Sequence, residues 1–167
     1  MFDDASTHRA VSPASGLLIR EDDLSGEQIR ALLVLHLAHM QVSSPPGSVY
    51  ALDLSGLRAP GVTVWSAWRE DRIAGVGALK ALGGGVAEVK SMRTHPDHLR
   101  RGVAAALLDH MIAMAREQGV TRLSLETGSG PAFEPALALY RARGFTNGEP
   151  FSDYVPSPFN QFLHLSL

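Results

Sequence analysis

Residues 88–119, EVKSMRTHPDHLRRGVAAALLDHMIAMAREQG, constrain the fold more than any other stretch, because strand, abrupt stop and helix follow one another directly. Val89, Met92 and Thr94 suit an extended segment, and Pro96, which has no N–H for a ladder hydrogen bond, ends it near His95. Val103, Leu107, His110, Met111 and Met114 then recur at the spacing of one apolar helical face, and Gly119 closes the helix.

The start of that helix carries an unusual charge pattern. Ser, Thr, Asp or Asn would cap the first free N–H groups, and acidic residues would oppose the positive end of the dipole. Leu99, Arg100, Arg101 and Gly102 stand there. Two arginines add positive charge to a positive end, and Gly102 leaves the backbone bare, which makes sense around an anion such as a phosphate. The same residues are also compatible with solvated arginines beside a glycine that eases a turn.

The remaining elements follow in order. Residues 16–20 read as a short strand, and Ser25 with Gln28 three positions on resembles a capping box for a helix reaching about Val42, with Ile29, Leu32, Leu33, His36, Leu37 and Met40 on one side. Residues 43–47, SSPPG, break it, and residues 48–60 hold at most one short helical turn. Residues 62–68 and 73–82 form a hairpin about Glu70 and Asp71, and Gly83, Gly84 and Gly85 turn the chain antiparallel into the strand of residues 88–94. A strand at 121–126, a helix from about Phe133 to Arg143, a weak strand at 145–150, a Pro-containing loop and a final strand at 159–167 complete the pattern. This order implies an α/β domain with a mixed sheet and helices on its faces.

Composition excludes several classes. A chain of 167 residues with net charge −2 builds one domain and offers no basic footprint for nucleic acid. It has no Cys, hence no disulfide framework, no thiolate metal site and no cysteine-linked covalent intermediate. No apolar segment approaches a membrane span and no signal pattern opens the chain, so no membrane partner and a cytoplasmic protein are expected. Residues 1–15 mix Asp, Ser, Thr and Pro and are expected to be a mobile leader to a single domain at 16–167.

Residues 88–119 together with ALALYRARGF at 136–145 resemble the GNAT superfamily, the GCN5-related N-acetyltransferases, over most of residues 16–167. SPPGSVYALDL, KSMRTHP, LSLETGSG and the Pro-rich tail look most similar to its YsnE-like bacterial branch. The resemblance implies a single-domain fold whose mostly antiparallel sheet contains one parallel, splayed strand pair. It also implies direct transfer of an acyl group, acetyl from acetyl-CoA, to a small-molecule or peptide amine without a metal. A homodimer is left open.

The resemblance carries over residue by residue. The family's phosphate pattern of Gln or Arg, two residues, Gly, one residue, then Gly or Ala falls on Leu99, Gly102 and Ala104. Leu99 departs from it, so backbone N–H groups of Arg100, Arg101, Gly102, Val103 and Ala104 and one arginine would hold the CoA pyrophosphate. Ser91, Met92, Arg93 and Thr94 fall on the strand that pairs with pantetheine, with an N–H near Met92 facing the oxyanion. Glu88 falls where some members keep a general-base glutamate, and Tyr140 matches the tyrosine that protonates the leaving thiolate. Phe133 stands where many relatives place Asn in the cofactor site.

Each assignment has a plainer counterpart. Glu88 can pair with Lys90, and Tyr140 can be a core aromatic on a helix face. His36 is expected to line the acceptor pocket or to pack in the core, and His36 with His39 lacks the further ligands of a metal site. Trp65 and Trp68, three apart, cannot share a strand face, and Trp65 is assigned to the pocket. Arg93 and Glu126 can read a charged acceptor or pair with each other. The alternative to an enzyme is a non-catalytic acyl-CoA-binding or interaction module on the same fold, suggested by Leu99 and Phe133.

Overall fold

The computed structural model describes residues 10–12 and 16–167. Strand β1 (Ala10–Ser12) pairs antiparallel with β2 (Leu17–Glu21). The rest of the expected leader lies outside the described residues. Helix α1 (Glu27–Ser43) and the single turn α2 (Leu54–Leu57) precede β3 (Val62–Arg69), β4 (Arg72–Gly83) and β5 (Val86–Thr94). Helix α3 (Val103–Glu117) then leads to β6 (Arg122–Thr127), α4 (Glu134–Ala142), β7 (Thr146–Asn147) and β8 (Gln161–Ser166). Among the described residues the sheet has eight strands in the order β1-β2-β3-β4-β5-β6-β8-β7, parallel only between β5 and β6. The expected mixed α/β architecture is therefore the observed one.

Local chemistry explains most element ends. Asp53 caps α2 by accepting a 2.8 Å hydrogen bond from Gly56 N–H. Gly83, Gly84 and Gly85 all adopt positive φ between β4 and β5, a conformation that costs glycine little. The capping box at α1 does not form. Gly26 is the N-cap and no side chain caps the helix, while Ser25 Oγ donates to Asp23 Oδ1 at 2.6 Å. Gln28 is drawn away by the β3–β4 hairpin: its Nε2 donates to Asp71 O at 2.7 Å and its Oε1 accepts from Ile73 N–H at 2.9 Å.

Helices cover both faces of the sheet. On one side Ile29, Leu32 and Leu33 of α1 and Leu57 of α2 pack with Val64, Ile73, Val76 and Ala78. On the other, Val103, Leu107, Leu108 and Met111 of α3 and Leu137 and Tyr140 of α4 pack with Ala67, Ala74, Val89 and Leu123. Gly75 and Gly77 on β4 let α3 lie close, since a Cβ at either would stand 2.7 Å from Val103 Cγ1 or Met111 Sδ. No helix among the described residues is long and apolar enough to cross a membrane.

Two irregularities in β5 open the sheet. Its parallel register with β6 runs only from Val86–Arg122 to Glu88–Ser124, so the strands part beyond Glu88. On its other side Val76 pairs with Arg93 and Ala78 with Lys90, which leaves Ser91 and Met92 opposite Gly77 alone. That is a β-bulge, and Ser91 adopts φ 55° within it.

Candidate active site

The gap between β5 and β6 becomes a cleft because other elements roof it without filling it. Its walls come from β5 (Glu88, Lys90, Ser91, Met92, Arg93), from β6 and the loop after it (Glu126, Thr127, Gly128), from α1 (His36, His39, Met40), from α4 and the turn before it (Phe133, Tyr140), and from Tyr50, Tyr154 and Phe159. Gly128 is required where it stands, since a Cβ there would lie 2.7 Å from the Phe133 ring and closer still to Phe159. Phe133 and Phe159 meet edge to face at 5.4 Å.

Three groups of polar side chains face this cleft. The first is centred on Glu88, which is 2% exposed. Its Oε2 accepts a hydrogen bond from Lys90 Nζ at 3.3 Å and a short one from the Tyr154 hydroxyl, and Lys90 Nζ also donates to the Tyr154 oxygen at 2.7 Å. Burial, the hydrogen bond to Glu88 and its negative charge all push the Tyr154 phenol well above its ordinary pKa of 10. The pairing of Glu88 with Lys90 that the sequence allowed is therefore present.

The second group is Glu126. Burial pushes its carboxyl from an ordinary 4.5 up to about 7, with a hydrogen bond from Asn160 and the charge of Lys90 opposing and the charge of Glu88 adding. Arg93 does not pair with it. Arg93 forms the third group, donating from Nε to His36 Nδ1 and from a terminal nitrogen to His39 Nδ1, both at 3.0 Å. Arginine has no acceptor, so both imidazole nitrogens accept. Burial, then the Arg93 charge, depresses His36 to about 3, which leaves the ring neutral.

Tyr140 reaches the cleft from α4 and stacks edge to face on Phe145 at 5.7 Å. Burial alone raises its phenol to about 12, so it is a protonated donor at neutral pH.

The turn before α3 has the geometry of an anion cradle. Gly102 is its N-cap at φ 76°, no side chain caps the helix, and Arg100 adopts φ 61°. A Cβ at Gly102 would meet nothing within 4 Å, so the N–H groups of Val103 and Ala104 open a helix end free of side-chain cover. Arg100 and Arg101 are exposed beside it, and Leu99 is 58% exposed. The bulge contributes as well: Ser91 Oγ is buried without a hydrogen-bond partner among the described residues. A bent backbone at Ser91 and Met92 leading to a bare helix start suits a ligand with a polar chain and a phosphate.

Trp65 is the one assigned pocket residue that lies elsewhere. It is 2% exposed, packs on the α3 face of the sheet and meets His110 edge to face at 5.9 Å. Trp68 turns to the opposite face, as alternation requires, where Arg20 lies 4.5 Å over its ring. Sequence reasoning missed Tyr154, Tyr50 and Gly128. Tyr154 sits in an aperiodic loop and meets partners 64 and 66 positions away, so no local pattern marked it.

Comparison with known proteins places this geometry. A model of the "Acetyltransferase (GNAT) family" matches residues 29–145. The chain is 50% identical over 145 residues to the Bacillus subtilis (strain 168) protein described as an uncharacterized N-acetyltransferase, YsnE, covering 87% of this chain and 96% of that one. A Klebsiella pneumoniae structure described as an acyl-CoA N-acyltransferase superposes with TM-score 0.77 at 26% identity, over 92% of this chain and 99% of that one. A Bacillus subtilis acetyltransferase in complex with CoA shares the fold at TM-score 0.66 and 18% identity, over 89% and 97% of the two chains.

Proposed function

The chain belongs to the GNAT family of acetyltransferases and is an N-acetyltransferase, and from that premise we propose that residues 16–167 act as one domain moving acetyl from acetyl-CoA directly to a primary amine. The amine belongs to a small molecule or peptide, and both substrates occupy the β5–β6 cleft together. The observation that carries this reading is a carboxylate titrating near 7, Glu126, and a protonated phenol, Tyr140, lining one cleft beside a backbone bulge.

The roles follow from the chemistry of each group. The bare N–H groups at the start of α3, with Arg100 or Arg101, hold the CoA pyrophosphate, and the bulged backbone at Ser91 and Met92 holds the pantetheine arm. Glu126 takes a proton from the incoming ammonium, because a base works best with a pKa near the working pH. Glu88, expected from the family pattern to be that base, already accepts from Lys90 and Tyr154, so we assign it to positioning those two side chains. A bond then forms from nitrogen to the acetyl carbon, the N–H near Met92 stabilises the oxyanion, and the carbon–sulfur bond breaks as Tyr140 gives its proton to sulfur. The nitrogen's remaining surplus proton restores the phenol, so that the proton taken by Glu126 is the one that leaves. One proton is released overall.

Thiol release from acetyl-CoA, measured over a panel of amines, amino acids and peptides, tests this reading. Amine-dependent release that falls about 100-fold or more in Tyr140→Phe and in Glu126→Gln is expected. CoA binding with no amine-dependent release across the panel would refute it in favour of a binding module.

A further inference from the structure

Arg93 is held in the cleft by two bases that cannot neutralise it. Arg93 is half-buried, and a guanidinium partly withdrawn from water ordinarily meets a carboxylate, because desolvating an unpaired charge is costly. Here the partners are the imidazoles of His36 and His39, and no carboxylate lies within ion-pair distance of Arg93 among the described residues. Desolvation acts on Arg93 with no anion opposing it. Two of its five N–H donors are committed to the imidazoles, which leaves three for another partner.

The imidazoles fix the guanidinium plane without consuming its charge. An Asp or Glu at either position would have oriented Arg93 equally well and cancelled it. On the same strand the other cation, Lys90, is cancelled by Glu88. The two β5 cations that line one cleft are therefore treated oppositely, and the one left positive stands by the α1 wall, apart from the Lys90–Glu88–Tyr154 cluster.

We propose that Arg93, oriented by His36 and His39, binds the carboxylate of the acceptor, so that the substrate is a free amino acid acetylated on its amino group. A planar guanidinium with donors to spare matches a carboxylate in a two-pronged hydrogen bond, which an ammonium side chain would not reproduce. The proposal rests on the acetyltransferase reading above and narrows its amine acceptor to one that also carries an acid.

The experiment compares each free amino acid, including β- and γ-amino acids, with its amide, in which the carboxylate alone is lost. Two readouts are taken: kcat/KM for thiol release from acetyl-CoA, and calorimetric binding of the N-acetylated acid or its amide in the presence of CoA. At least one acid should be favoured over its amide by about 100-fold or more. Arg93→Gln should remove that preference by slowing the acid far more than the amide. His39→Glu, which supplies an internal carboxylate next to an intact Arg93 at an exposed position, should raise KM for the acid by a larger factor than KM for the amide. Acids and amides used and bound equally, or Arg93→Gln slowing both alike, would overturn the proposal. Discrimination in binding without any thiol release would overturn the acetyltransferase mechanism and leave the Arg93 site standing.

Discussion

Replacing Glu126 by Gln separates stability from activity in a way that tests the assignment of the base. In the folded protein burial holds this carboxyl at about 7 against an ordinary 4.5. Between those two values the folded chain keeps a proton that the unfolded chain has released. Stability from this group is therefore fully present below pH 4.5 and is lost as pH rises through 7. At about 1.4 kcal/mol per unit, the rise of roughly 2.5 units gives a loss of about 3 kcal/mol. Gln keeps the shape of the protonated acid and does not titrate, so the stability of Glu126→Gln relative to the parent should grow by about 2 to 3 kcal/mol between pH 5 and pH 8. Urea unfolding of both proteins across that range measures the difference. Activity should move the other way. The rising limb of kcat/KM, with an apparent pKa near 7, should vanish in the variant, and turnover should fall by about 100-fold or more. A stability difference constant with pH to within about 0.5 kcal/mol, or an unchanged limb near 7, would refute both the burial argument and the assignment of Glu126 as base.

Other substitutions probe the rest of the cleft. Tyr140→Phe should lower kcat by about 100-fold with KM for acetyl-CoA little changed, since the phenol acts only as sulfur leaves; equal losses in kcat and binding would assign it to packing. Gly128→Ala should cost about 1 to 3 kcal/mol in urea unfolding and reduce kcat/KM more than tenfold, because its Cβ collides with the Phe133 and Phe159 rings that border the cleft. Leu99→Arg should tighten CoA binding several-fold in calorimetry, and no gain would count against the pyrophosphate cradle at residues 99–104. Asp109→Ala, which breaks the paired 2.8 and 3.1 Å bonds to Arg143, should cost no more than about 1 kcal/mol, since that pair lies in solvent.

What could be read from the sequence was local, and what could not was set by distant contacts. Helix α3 announced itself through the spacing of Val103, Leu107 and Met111, and its bare start through Gly102 between arginines and small residues. The opening in the sheet did not, because a serine at positive φ leaves no compositional mark, and the bulge at Ser91 shows only in the register against Gly77. Gln28 had the right spacing for a capping box, yet the Asp71 and Ile73 backbone competed for it successfully from the β3–β4 hairpin. Alternation placed Trp65 and Trp68 on opposite faces but carried no information on which of the two the helices bury completely. Glu88 and Glu126 were both visible as carboxylates on neighbouring strands. The Lys90 pairing of Glu88 was legible on one strand, but the hydrogen bond from Tyr154, which arrives from a loop more than sixty positions away, and the burial of Glu126 were not.

The charges of the cleft make the two halves of the functional reading depend on each other. Glu88 cancels Lys90, Arg93 keeps its charge between two imidazoles, and burial holds Glu126 near neutral pH. An amine without an acid group would bring a second positive charge into a site where Arg93 already lacks a counterion, and the two would repel in a low dielectric. An amino acid brings one charge of each sign, its carboxylate answering Arg93 and its ammonium answering Glu126. When Glu126 then takes the proton, one ion pair disappears from the cleft while the carboxylate pair at Arg93 remains to hold the neutral amine in place. Attack on the acetyl carbon begins from that arrangement, with the nucleophile uncharged and anchored at its other end.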